Sequence, residues 1–125
     1  PVKRELGSWK DLEEWFQFFI ATQETTGCAR SCPVGTIGAG LTEKQKPLRR
    51  AACAIFDFTR ESLAACFRHM KRNGLIRKNT DPESLADFCF TVMQGGLLVS
   101  KIRRDPAPFR NSVDHALAYL LTLKA

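Results

Sequence analysis

Apolar side chains recur along this chain at spacings of three and four, the period of an amphipathic helix, and no segment alternates with the period of two that marks a strand. Leu12, Trp15, Phe16, Phe19 and Ile20 form the first such face. Ser8 precedes it as a cap, Asp11 completes a capping-box-like pair, and Asp11, Glu13 and Glu14 crowd the positive helix end. Gly27 is the expected stop. After a loop from Cys28 to Cys32, Pro33 opens a short second helix, Val34 to about Thr42. Its Gly35, Gly38 and Gly40 cost about 0.8–1 kcal/mol each against alanine, so this element is expected to be short and mobile, or held by close contacts.

The third helix is predicted from about Glu43 to Asn73, with Pro47 in its first turn, where proline is tolerated. Leu48, Ala52, Ile55, Thr59, Leu63, Cys66 and Met70 trace its apolar stripe, with Phe56 and Phe67 alongside. Asn73-Gly74 ends it, and Leu75 supplies the apolar contact of a Schellman stop. Asp81-Pro82-Glu83 reads as cap, first-turn proline and acidic second position, opening a fourth helix that runs to about Arg104. Asp105-Pro106 repeats the signal for a fifth, ending near Leu123. The expectation is an all-α, five-helix bundle occupying residues 1–125 as a single domain.

The last two helices are apolar on more than one face. Leu85, Phe88, Cys89, Val92, Gly96 and Val99 form one stripe of the fourth, and Phe90, Met93 and Leu97 another. A helix apolar nearly all round is buried nearly all round. The final helix of a small bundle exposes one side, so a second copy of the chain is the simplest cover. Mid-helix Gly95-Gly96 points to a close backbone approach there. The interface residues this assigns are Val92, Gly96, Val99, Phe109, Ala116, Leu117 and Leu120, and the alternative for each is the core of its own subunit.

Composition narrows the class further. With 44% apolar, 26% charged and 10% aromatic residues, the chain has a globular profile and not that of a disordered tail. No apolar run approaches the roughly 18–20 residues of a membrane span. Pro1 in place of Met points to a piece of something longer. Cys28, Cys32, Cys53, Cys66 and Cys89 are odd in number and irregular in spacing, which suits a reducing cytoplasm and not a secreted disulfide scaffold. The net charge of +6 is carried in short clusters, including Arg49-Arg50, Arg77-Lys78 and Lys101 to Arg104. Two clusters close predicted helices, where cations offset the negative helix end. No aromatic residues are interleaved with them as a single-strand stacking platform requires.

Several segments, in order, resemble the C-terminal domain of tetracycline-repressor-like (TetR-type) transcriptional regulators. They are Cys32-Pro33-Val34-Gly35 leading into Gly38-Ala39-Gly40-Leu41, then Asp81 to Phe88, then Met93-Gln94-Gly95-Gly96-Leu97-Leu98-Val99-Ser100-Lys101, then Arg104 to Phe109. With the helix order, the resemblance covers nearly the whole chain. It implies an Ω-shaped homodimer joined through the last two helices, a mostly apolar ligand cavity in each subunit, and an upstream helix-turn-helix that reads palindromic DNA. That reader is absent from this sequence, and DNA binding is expected only through it.

The candidate lining of such a cavity is Trp15, Phe19, Ile37, Phe56, Phe90, Met93 and Gln94, large aromatics with an adaptable methionine and one amide, suited to a small organic effector. Ordinary core packing is the competing role of each. Cys28 and Cys32 are the alternative chemistry, a thiol pair for oxidant sensing or catalysis, but their spacing is not C-x-x-C and no histidine is local. His69 and His115 have no metal-ligand spacing with the cysteines. No nucleophile–base pairing or phosphate-binding loop is readable, so no enzyme, metal or cofactor is expected. A simple helical oligomerisation module is the remaining alternative.

Overall fold

The computed structural model describes residues 7–25, 41 and 44–125. Four helices lie among them: α1 (Trp9–Thr25), α2 (Lys46–Arg72), α3 (Pro82–Arg103) and α4 (Ala107–Leu121). The second helix expected from the sequence, Val34 to about Thr42, falls almost wholly outside the described residues. The expected third, fourth and fifth helices are α2, α3 and α4. No strand forms among the described residues beyond an isolated bridge between Ile76 and Lys124.

The termini form where short-range chemistry places them. Asp11 N–H donates to Ser8 Oγ (3.1 Å), and the Asp11 carboxylate accepts from Gly7 N–H (3.2 Å), a reciprocal capping arrangement. Glu83 N–H donates to Asp81 Oδ1 (3.1 Å) at the start of α3, and Ala107 N–H to Asp105 Oδ1 (3.0 Å) at the start of α4. At the end of α2, Gly74 adopts a φ of 71°. Leu75 N–H reaches Met70 O (2.9 Å) and Gly74 N–H reaches Lys71 O (3.2 Å), the two bonds of a Schellman stop.

α3 is the central helix, packed on α2 along one side and α4 along the other, with α1 lying against α4. Leu12, Phe16 and Ile20 of α1 meet Leu63, Cys66, Phe67 and Met70 of α2, Leu85, Cys89, Met93 and Leu97 of α3, and Phe109, Val113 and Leu120 of α4 in one buried cluster. Each large side chain there contributes about 1.5–3 kcal/mol by leaving water. Among the described residues, α3 is the one helix long and apolar enough, by length and composition, to cross a membrane, a test that the core helix of a bundle also passes. Its apolarity is accounted for in part by packing on both neighbours.

α2 and α3 run antiparallel, clamped near the start of α3. Arg60 bonds Asp87 (2.6 Å) and Glu83 (3.0 Å), and Arg68 joins Glu83 to Glu61. The phase of α2 differs from the sequence expectation. Leu48 and Ile55 are half exposed, at 54% and 50%. The buried row runs through Leu63, Cys66, Phe67 and Met70, with Ala52, Phe56 and Thr59 partly covered. The period of the stripe was right, but its direction depends on where α3 lies.

α3 ends with Arg104 in the left-handed region, φ 54° and ψ 44°. Asp105 N–H bonds Ser100 O (3.1 Å) across this cap. A side chain there costs roughly 1 kcal/mol that glycine does not incur. Arg104→Gly is therefore expected to stabilise the fold by about 0.5–1 kcal/mol, read as a higher midpoint in urea. A lower midpoint would mean that the arginine side chain holds the turn.

Candidate functional site

Two ring pairs gather most of the cavity candidates. Phe56 of α2 and Phe90 of α3 meet edge to face with centroids 5.0 Å apart. Trp15 and Phe19 of α1 do the same, also at 5.0 Å, and Trp15 touches Phe16 in the same manner. Trp15, Phe19 and Phe90 are partly buried and pack against the same core cluster. Met93 lies inside that cluster, and Gln94, one residue on, is half buried. Ile37 lies outside the described residues. The structure thus divides the set: Phe56 and Phe90 meet between α2 and α3, Gln94 follows Phe90 by one helical turn, Trp15 and Phe19 belong to α1, and Met93 is core.

The interface candidates divide as well. Gly96, Phe109, Ala116 and Leu120 are buried inside the subunit. A Cβ on Gly96 would lie 2.8 Å from Phe109 Cδ1 and 3.3 Å from its Cα, so the close approach that glycine permits is between α3 and α4 of one chain. Ser100, also buried, accepts from Phe109 N–H (2.9 Å) and caps α4 from the neighbouring helix. Within the single subunit these four positions are buried, and Gly96 and Phe109 meet across the α3–α4 seam. Val92 and Leu117 are half buried, and Val99 is exposed at 43%.

One exposed apolar stripe runs along α3. Phe88, Val92, Gly95, Val99 and Ile102 follow one another at alternating steps of four and three along α3, the spacing of a helix–helix seam. Ile102 is 73% exposed, and a Cβ on Gly95 would meet nothing within 4 Å. Tyr119 of α4, 51% exposed, extends the stripe by an edge contact with Phe88 at 5.6 Å. The sequence contained this signal, but it merges there with the buried Leu85–Cys89–Gly96 row beside it.

Of the described free thiols, Cys53 is exposed and Cys66 and Cys89 are buried. Burial, with Asp11 nearby, pushes Cys66 up to about 12. Burial, with Cys66 nearby, does the same to Cys89. Cys66 and Cys89 are thereby poor nucleophiles. Cys28 and Cys32 lie outside the described residues. No group of three metal-ligating side chains occurs among the described ones.

A family model described as the tetracyclin repressor-like C-terminal domain matches residues 9–116. The chain belongs to the TetR family. It is 28% identical over 108 residues to the HTH-type transcriptional repressor DhaR of Mycobacterium sp. (strain GP1), covering 86% of this chain and 49% of that protein. A TetR transcriptional regulator from Chloroflexus aurantiacus J-10-FL shares the fold with a TM-score of 0.81 at 17% identity, covering 98% of this chain and 62% of that one. The regulatory protein TetR from Rhodobacter sphaeroides does so with a TM-score of 0.75 at 20% identity, covering 87% and 58%. The chain thus spans about half the length of its curated relative.

The two adjacent glycines should respond differently to substitution. Gly96→Ala is expected to destabilise by about 1–3 kcal/mol, since Phe109 must shift. Gly95→Ala is expected to be neutral or to stabilise by up to about 1 kcal/mol. Urea unfolding measures both, and equal effects would move the close crossing away from Gly96.

Proposed function

We propose that this chain is the effector-binding and dimerisation domain of a TetR-type regulator, acting as a repressor in the cytoplasm, with its DNA reader in an N-terminal helix-turn-helix. The observation that carries this reading is the pair of apolar surfaces left over once the core is closed. One is the exposed stripe from Phe88 to Ile102 with Tyr119. The other is the half-covered α2–α3 face at Phe56, Phe90 and Gln94, with Trp15 and Phe19 on α1. The first suits a second copy of the chain and the second a small, largely apolar effector.

In this reading two copies join α3 and α4 to their counterparts across the stripe. An effector bound in each subunit prefers one of two arrangements of α1 against α2 and α3. It shifts the population toward that arrangement by no more than its differential affinity, and DNA affinity changes reciprocally. The domain carries out no covalent chemistry. Membership of a family of transcriptional regulators supports this, as does the desolvation of Cys66 and Cys89.

The dimer is expected in solution at micromolar concentration. Val99→Glu with Ile102→Glu should give a particle near 14.1 kDa that keeps its helicity, by sedimentation and circular dichroism. A parent chain already of that mass would refute dimerisation. Small apolar compounds are expected to raise the melting temperature of the parent, with about 2.7 kcal/mol of added stability at one hundred times the dissociation constant. Phe90→Ala should alter that response. A wide panel of such compounds giving no shift would leave an oligomerisation module.

A further inference from the structure

The cations of this chain are unevenly distributed. α2 and α3 are antiparallel and meet at Phe56 and Phe90. At roughly 1.5 Å per residue, Lys46 lies about 15 Å along α2 from that contact and Lys101 about 16 Å along α3, in the same direction. α4 begins there too, after the Arg104 turn, and α1 ends there, since Glu24 pairs with Arg110. One end of the bundle therefore collects Lys44, Lys46, Arg50, Lys101, Arg103 and Arg104, of which all but the half-buried Lys101 are exposed. Arg49 and Arg110 lie at the same end, Arg110 paired with Glu24.

Two local features show that ordinary helix electrostatics does not explain this concentration. Helix N-termini are positive and favour acids, as Asp11 in α1 and Glu83 in α3 illustrate at the other end of the bundle. α2 and α4 start at the basic end, and neither has an acidic residue in its first turn. Lys46 stands in the first turn of α2, a cation against a positive dipole, whereas at the start of α4 Asp105 caps Ala107 N–H and Arg110 pairs with Glu24. Lys101 and Arg103 do complement the end of α3, but Arg104 occupies a left-handed cap that favours glycine. Local stability is thus given up at two places, the start of α2 and Arg104, that share one end of the bundle and one sign of charge.

We propose that this basic end is an auxiliary contact surface for the DNA backbone. It meets phosphates without reading sequence, beside the site that the helix-turn-helix selects. This rests on the regulator reading, which brings the domain to DNA. The surface has exposed lysines and arginines on three helices and no interleaved aromatic rings, which suits duplex phosphates better than stacked single strands.

The test uses the 125-residue chain and a duplex of arbitrary sequence, with anisotropy read from about 50 to 200 mM salt. Weak binding that falls steeply with salt is expected. The combined variant Lys44→Gln, Lys46→Gln, Arg50→Gln, Arg103→Gln should lower affinity about tenfold or more and reduce the salt slope by roughly 3–4, near 0.9 for each lost phosphate contact. Arg104→Gly should weaken DNA binding while raising the unfolding midpoint, opposite signs that a loss of folding cannot produce. Lys71→Gln, Arg72→Gln, Arg77→Gln, Lys78→Gln at the other end should leave binding unchanged. Equal losses from the two combined variants would overturn the proposal, as would no duplex binding, or retention on phosphatidylserine vesicles in its place. A chain that dimerises and answers to ligand yet ignores DNA would remove this surface alone. A monomeric, ligand-blind chain that still binds duplex through this end would remove the regulator reading and leave the contact standing.

Discussion

The close approach of α3 and α4 at Gly96 and Phe109 is the contact on which the rest of the arrangement turns. It leaves no room for a Cβ, and beside it Ser100 bonds the Phe109 amide, so the two helices are held by shape and by a shared hydrogen bond. With the backbones that close, the Leu85–Cys89–Gly96 row is covered within one subunit. What remains outward on α3 is the row through Phe88, Val99 and Ile102. A longer separation would mix the two rows and leave no defined surface for a partner.

The second constraint is the clamp between α2 and α3. Arg60 and Arg68 converge on Glu83, and the contact continues to the Phe56–Phe90 ring pair. Beyond the clamp, α2 is buried only from Leu63 onward, and its earlier half keeps a partly covered apolar face. Exposed pairs of this kind contribute little stability individually, but they set the antiparallel register. That register brings the cations of two helix starts and one helix end to a single end of the bundle.

Family membership and local geometry support each other without repeating each other. The match over residues 9–116 assigns the chain to TetR-type C-terminal domains. The structure adds which residues are spent on the core and which remain for partners, a distinction that low-identity relatives do not supply.

Helix boundaries were legible because their causes are local: the Ser8–Asp11 exchange, the Asp81 cap and the Asn73-Gly74 stop each involve groups a few residues apart. The all-helical class and the two-faced character of α3 followed from spacing alone. What the sequence could not determine was direction. Leu48 and Ile55 share a stripe with Leu63, yet they are half exposed. Gly95 and Gly96 are neighbours, yet one faces open space and the other touches Phe109. Phe109, Ala116 and Leu120 read alike as partner surface or as core, and are buried within the single subunit. Periodicity states that a helix has an apolar face; only the position of the helix opposite decides which residues that face buries, because burial is a property of the pair.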